Sequence, residues 1–337
     1  MTLRVGLMGF GRVGRQLYQL AREDDELEMV AISDIGRPDI LHHLLVQTMP
    51  DSTDVRLENN YLVCEQTRTR LMHADHPAEI PWDVFGVDVV IEATGRFGTR
   101  AALEPHLGNG AHRVVMARPP HEAVDRVVLF GVNEDTAQAS DRIVSAGSAS
   151  TTAMGLALKT LSARFDVAHA TMTSVHAYTS DQILQDYAGA DYRRSRAAAE
   201  NIIPNDSPAP LWVAQALPQF EGRLSGYALN VPVQTGSMLD MTVALNEDAG
   251  EVDAINDIYR DAAAAAPALL QVTEDPIVSS DVRGCAQSLL VDLQATMRAG
   301  ARMVKVLGWH ESLGHAYRIM DLVKLYHGLD QALREAS

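Results

Sequence analysis

Three groups of residues could do chemistry by type and spacing. The first lies in Asp141-Arg-Ile-Val-Ser-Ala-Gly-Ser-Ala-Ser150-Thr-Thr-Ala-Met-Gly-Leu-Ala-Leu158. It reads as a short buried strand, a glycine turn and a helix that opens at Ser150. A side chain there faces unpaired backbone N–H groups and the positive end of the helix dipole. That setting holds an anion or activates a nucleophile. Serine is also an ordinary N-cap, and from position alone capping is the favoured reading. The second group is His176, on an alternating strand pattern from Ala168 to Tyr178. An imidazole there serves as a general base or as a structural residue. The third is polar: Thr179 and Asp181, then an irregular stretch ending in Arg193-Arg194-Ser195-Arg196. Such arginines hold an anionic substrate or form ion pairs at an interface.

A fourth feature stands at the N-terminus. Leu3 to Phe10 is a strand by composition, and it runs into Gly9-Phe10-Gly11-Arg12-Val13-Gly14 and a helical stretch to Arg22. In this setting the first glycine allows the tight turn, the second lets a pyrophosphate approach the backbone, and the third lets helix and strand pack. A second strand, Leu27 to Ser33, ends at Asp34, 20 positions after Gly14. A carboxylate there accepts hydrogen bonds from adenosine ribose hydroxyls and repels a 2′-phosphate. The cofactor expected is therefore NAD rather than NADP.

These residues need scaffolding, and the chain has enough length for two domains: 337 residues, 47% hydrophobic. Its 28 basic against 44 acidic residues give a net charge of -16, with no dense Lys/Arg run. That disfavours a backbone-tracking nucleic-acid binder. Cys64 and Cys285 lie far apart, without metal spacing, so neither a metal site nor a disulfide framework is expected. The chain enters a strand pattern at once, without a leader, and contains no apolar run of about 18 residues. No membrane partner is expected, and the compartment expected is the cytoplasm.

Strand patterns recur at Val87–Ala93, His112–Ala117, Arg126–Gly131 and Arg142–Ser145, with a helix near Pro38 to Thr48. This alternation predicts a parallel doubly wound sheet. The glycine turn, Asp34, Thr94–Gly95 and the Ala117–Pro119 turn should line one crevice at its carboxyl end. A helix is predicted from Thr151 to Phe165. Long alternating strands follow at Ala168–Tyr178, Leu224–Val233, Met238–Leu245, Gln287–Leu293 and Met303–Gly308. They predict a second, mostly antiparallel domain. The last predicted helix runs from Tyr317 to Arg334.

Several of these segments carry a family resemblance. Val5-Gly-Leu-Met-Gly-Phe-Gly-Arg-Val-Gly-Arg15, Glu92-Ala-Thr-Gly-Arg-Phe97, Gly131-Val-Asn133 and Val175-His-Ala-Tyr-Thr-Ser-Asp-Gln182 are four of them. Arg193 to Pro204, Asn230-Val-Pro-Val-Gln-Thr-Gly-Ser237, Ser279-Ser-Asp-Val-Arg-Gly284 and Met303-Val-Lys-Val-Leu-Gly-Trp309 complete the set. Over essentially its whole length the chain resembles the glyceraldehyde-3-phosphate dehydrogenase family. The resemblance implies an α/β fold: a Rossmann-type doubly wound parallel sheet plus an α+β catalytic domain with a mostly antiparallel sheet. The implied division is residues 1–149 with 314–337 for the NAD-binding domain and 150–313 for the catalytic domain. It further implies a cytoplasmic homotetramer, NAD as cofactor, and glycolytic oxidation of a phosphorylated aldehyde to an acyl phosphate. Residue by residue, Ser150 holds the nucleophile position and His176 is the base. Gly9, Phe10, Gly11, Arg12, Val13, Gly14, Asp34, Thr94, Gly95 and Ser312 fall at cofactor positions. Thr151, Thr179, Asp181, Arg194 and Asn230 fall at substrate positions.

Two accounts fit the departures from the family pattern, an introduced Cys→Ser change at Ser150 in an otherwise active enzyme or a natural divergent member, and their number and spread favour natural divergence in substrate. The family's Ser-Cys-Thr-Thr-Asn-Cys reads Ala149-Ser150-Thr151-Thr152-Ala153-Met154 here. A hydroxyl ionises far less readily than a thiol. A substrate-phosphate arginine is Asn230, and the phosphate loop aligns near Asn205 to Ala209 without its glycine. The nicotinamide asparagine falls near Ser312, and Met8 replaces another asparagine. Besides the dehydrogenase reading, two alternatives stand: a catalytically silent NAD-binding protein, and a non-covalent aldehyde or alcohol oxidoreductase with His176 as acid/base.

Overall fold

The computed structural model describes residues 2–65 and 67–336. The chain divides into two compact units. The first comprises residues 1–130, 134–147 and 316–337, and the second residues 131–133 and 148–315.

The first unit is built on nine strands: β1 (Leu3–Met8), β2 (Leu27–Asp34), β3 (Arg56–Glu58), β4 (Tyr61–Cys64), β5 (Thr67–His73), β6 (Val89–Glu92), β7 (Arg113–Met116), β8 (Arg126–Val127) and β9 (Ile143–Ser145). They form one sheet in the order β3-β4-β5-β2-β1-β6-β7-β9-β8. Its centre is parallel: β1 pairs with β2 and β6, and β7 with β6 and β9. The crossovers are α1 (Arg12–Arg22), α2 (Pro38–Thr48) and α3 (Arg100–Gly108). The central strands are buried on both faces, so they read as unbroken apolar runs rather than alternations. Leu7, Leu17, Ile32, Ile91 and Val144 pack in one core with Ile319, Val323 and Tyr326 from the C-terminal helix. The antiparallel edge β3-β4-β5 is absent from the sequence-based expectation. β3 is three residues long and largely exposed, and β3 and β4 are joined by Asn59 and Asn60, both left-handed at φ 52° and 61°. Asn tolerates that conformation better than other non-glycine residues, so the turn did carry a local signal.

The second unit is a seven-stranded sheet. Its strands are β10 (Val167–Ala177), β11 (Ile203–Asp206), β12 (Leu224–Val231), β13 (Ser237–Leu245), β14 (Leu270–Thr273), β15 (Leu289–Arg298) and β16 (Met303–His310). The order is β11-β12-β10-β13-β16-β15-β14. Parallel pairing occurs only at β10–β12 and β14–β15 among its strand pairs, so the mostly antiparallel expectation holds. Helix α4 (Ala149–Ser162) packs on this sheet beside α5 (Ala209–Ala216) and α6 (Val252–Ala265). Three Ala and three Leu supply α4 with strong helix formers. Residues 151 to 158 are all buried. Helix α7 (Ser312–Ala336) begins five residues before the expected Tyr317, and α4 begins two before Thr151. Among the described residues no helix is long and apolar enough to cross a membrane.

Candidate functional site

The glycine turn of the first unit is assembled by direct contact. Gly9 has φ +99°, and a Cβ there would meet the Ala93 carbonyl carbon and the Thr94 nitrogen at 2.6 Å. A Cβ on Gly14 would meet the Gly9 oxygen at 2.2 Å. Only glycine fits either place. Gly11 is different, with open space where its Cβ would stand. It precedes α1, which no side chain caps. An uncapped helix start beside an open glycine is a cradle for a diphosphate. Phe10 is 1% exposed and meets Tyr18 edge-on, and Val13 packs against the same core. Those two residues can therefore offer a ligand only backbone.

Asp34 closes this turn. Its Oδ2 accepts from the Phe10 amide at 2.6 Å and its Oδ1 from the Gly36 amide at 2.8 Å. The carboxylate is thus fixed against the glycine loop at the end of β2. Thr94 is held similarly: both its amide and its hydroxyl donate to one oxygen of the fully buried Glu92. Gly95, with φ +73°, follows, and the Arg118 guanidinium donates to its carbonyl. The strand-end turns expected to gather do so within this unit. Together the cradle and the fixed carboxylate fit a dinucleotide.

The turn before α4 corrects one expectation. The N-cap of α4 is Ser148, not Ser150: its Oγ accepts the Thr151 amide at 3.2 Å. Ser150 is the second residue of the helix and is released from capping. Its hydroxyl lies 3.2 Å from Ser148 Oγ, which also lies 2.7 Å from Thr151 Oγ1. Thr151 is fully buried and so supports the turn from beneath. Three serines stand at 145, 148 and 150, and only the backbone conformation decides which one caps.

His176 is the penultimate residue of β10 and is half-buried. Its Nδ1 lies 2.5 Å from the Ala177 carbonyl. A carbonyl only accepts, so Nδ1 carries the proton and Nε2 is left with its lone pair. Asn230 lies opposite His176 in the parallel ladder with β12. From there a chain of hydrogen bonds runs through the polar group. Asn205 Nδ2 donates to Asn230 Oδ1, Arg194 donates to Asn205 Oδ1 at 3.4 Å and to Asp181, and Thr179 Oγ1 donates to Asp181. Thr179, Asp181, Arg194 and Asn230 are therefore one cluster. Asn205 belongs with them but reads in sequence only as part of a loop. In fact Asn205 and Asp206 are strand residues, paired with β12.

Ser312 opens α7, and its hydroxyl donates to Glu311 at 3.0 Å. Next to it is a residue that sequence reasoning passed over. His310 closes β16, is 1% exposed, and stands edge-on to His176 with ring centroids 6.1 Å apart. Burial, with His176 and His315 adding to it, pushes its pKa down to about 3. The signal was available: alternation along β16 puts Val304, Val306, Gly308 and His310 on the buried side. Among the described residues no group of three or more His, Cys, Asp or Glu could hold a metal ion.

Comparison with known proteins agrees with this architecture. Residues 3–100 match the family model "Glyceraldehyde 3-phosphate dehydrogenase, NAD binding domain", and residues 148–312 match "Glyceraldehyde 3-phosphate dehydrogenase, C-terminal domain". A glyceraldehyde-3-phosphate dehydrogenase of Streptomyces coelicolor is 38% identical over 333 residues, spanning 96% of this chain and 98% of that protein. One from Mycobacterium leprae is 37% identical over 337 residues, spanning 96% and 98%. Glyceraldehyde-3-phosphate dehydrogenase 1 of Bacillus cereus is 35% identical over 325 residues, spanning 95% and 97%. With both domain models matched in order, and full-length relatives well above 30% identity, the chain belongs to the glyceraldehyde-3-phosphate dehydrogenase family, an NAD-dependent oxidoreductase built on its two domains.

Proposed function

We propose that the chain oxidises glyceraldehyde 3-phosphate, or a related small aldehyde, to an acyl phosphate, with Ser150 as nucleophile and His176 as its base. The reading rests above all on the start of α4. Because Ser148 caps the helix, Ser150 is left with a hydroxyl that can react. His176 is the imidazole of the set whose proton is committed to a backbone carbonyl, which leaves Nε2 as a proton acceptor. In the first step Nε2 takes the Ser150 proton as Oγ adds to the aldehyde carbon, and it then returns that proton to the former carbonyl oxygen to give a hemiacetal. Bound NAD supplies the hydride acceptor. As hydride leaves, His176 takes the proton of the hemiacetal hydroxyl and an ester forms on Ser150. Phosphate then attacks the ester carbonyl, the acyl phosphate departs, and Oγ is protonated from His176. The first-turn N–H groups of α4 favour the developing oxyanion by hydrogen bonding and by the helix dipole.

In this reading Gly9, Gly11 and Gly14, with the backbone of Phe10, Arg12 and Val13, carry the pyrophosphate. Asp34 carries the adenosine ribose, and Thr94 and Gly95 line the cofactor cleft. Thr179, Asp181, Arg194 and Asn230 meet the substrate, and the working form is a cytoplasmic homotetramer. Asp34→Ala is expected to weaken NAD by about tenfold or more, the scale of charge-assisted hydrogen bonds, and to narrow the preference over NADP. The ratio of the two dissociation constants is the quantity to measure. Loosening of the Phe10 turn alone would weaken both cofactors alike, and an unchanged ratio would remove the ribose assignment.

Phosphate dependence tests the reaction. NADH formation that requires phosphate or arsenate supports acyl transfer. A phosphate-independent rate that survives Ser150→Ala would instead favour direct hydride transfer with His176 as acid/base. One observation favours a silent NAD-binding protein: the side chains from Thr179 to Asn230 already satisfy one another, with Arg194 paired to Asp181. NAD binding with no turnover of any small aldehyde would support that second reading.

A further inference from the structure

The buried end of β16 holds a polar atom that the scheme above does not use. Nε2 of His310 is buried and has no hydrogen-bond partner among the described residues. Buried polar groups in folded proteins are nearly always paired, so an orphan asks for an explanation. The carboxylate next to it in sequence does not supply one. Glu311 already accepts from Thr235 at 3.3 Å, from Ser312 at 3.0 Å and from the Leu313 amide at 2.8 Å. Ser237 faces His310 across the ladder with β13, and its hydroxyl accepts the Ala177 amide at 3.3 Å. The ring stands edge-on to His176, so the orphan belongs to the surroundings of the proposed base.

We propose that His310 is a ligand-binding residue, whose Nε2 hydrogen-bonds an uncharged carbonyl or carboxamide group of a molecule bound beside His176. This rests on the dehydrogenase reading of the site. The chemistry of the ring selects an uncharged partner. Burial holds the imidazole neutral, and the neighbouring His176 and His315 disfavour a proton further. A neutral imidazole offers one N–H or one lone pair and no charge to attract a phosphate. Two molecules of the proposed reaction carry a suitable group: the aldehyde, through its carbonyl oxygen, and the cofactor, through the carboxamide of its nicotinamide. Ser312, at the family's carboxamide position, already donates its hydroxyl proton to Glu311. His310 lies two positions away.

Calorimetric titration of the full chain separates the sources. NAD and ADP-ribose, which lacks the nicotinamide, are titrated into the unsubstituted chain, His310→Phe and His310→Gln. Glyceraldehyde 3-phosphate is titrated into Ser150→Ala with and without His310→Phe. If the carboxamide is the partner, His310→Phe weakens NAD by about tenfold. ADP-ribose is then unchanged, and His310→Gln recovers part of the loss. If the aldehyde is the partner, NAD is unchanged and the aldehyde weakens by a similar factor. Equal weakening of NAD and ADP-ribose, or no change in any titration, would overturn the role of His310 alone. An unsubstituted chain that binds neither NAD nor ADP-ribose would overturn the dehydrogenase reading and this inference with it.

Discussion

His176→Asn is expected to lower NADH formation by roughly 100-fold or more, the scale of a lost general base, with NAD affinity and thermal stability near their original values. The physical reason is local. Nδ1 is committed to the Ala177 carbonyl, so Nε2 is the nitrogen able to take a proton. An asparagine on the same strand can still donate to that carbonyl through Nδ2, but an amide nitrogen does not accept a proton at neutral pH. The loss should fall on kcat more than on KM, because the imidazole acts on bonds that change in the transition state. A normal rate in this variant would remove His176 from the mechanism. A collapse of the melting temperature would instead mark it as structural.

The largest stability effect is expected at Arg113, far in sequence from any residue proposed to react. This guanidinium on β7 is 0% exposed. It donates to the Asp141 carbonyl at 2.7 Å, the Ala139 carbonyl at 2.9 Å, and both oxygens of Asp330 at 2.6 and 3.0 Å. It also lies 4.4 Å from the centroid of the Tyr326 ring. The first unit thereby ties its sheet to α7. Removing one partner of a buried pair leaves the other charge without compensation, at a cost of about 3–5 kcal/mol. Arg113→Ala should lower the unfolding free energy read from urea denaturation by that scale, shifting the midpoint down, and Asp330→Asn by less, because its amide can still accept one bond. Equal midpoints for Arg113→Ala and the unsubstituted chain would contradict this account of how the C-terminal helix is held.

The parts of the fold legible in sequence are those fixed by local rules. Gly9, Gly11 and Gly14 follow β1 and open α1; Gly9 and Gly14 are demanded by contacts within a few residues or across one strand, and Gly11 faces open space. The buried strands from Val89 to Ser145 declare themselves through unbroken apolar runs. The candidate site was not legible in its connections. Ser148 and Ser150 are two positions apart, and no propensity separates a serine that caps from one at the second helical position. Asn205 and Asn230 meet because β11 folds back on β12, a pairing 25 residues distant that their own types do not announce. His310 was concealed differently. Its burial follows from the alternation of β16, but its meaning comes only from the imidazole facing it across the sheet.

The central claim is that Ser150 occupies a working nucleophile position. The most direct test is the absorbance of NADH formed from glyceraldehyde 3-phosphate and phosphate by three forms of the full chain: unsubstituted, Ser150→Cys and Ser150→Ala. A thiol ionises far more readily than a hydroxyl, and its acyl ester is the more reactive toward phosphate. The account predicts that Ser150→Cys exceeds the unsubstituted rate by at least about tenfold, on the scale of a lowered nucleophile pKa, and that Ser150→Ala forms none. Equal rates in all three forms, or no NADH from any of them in a chain that binds NAD, would contradict it.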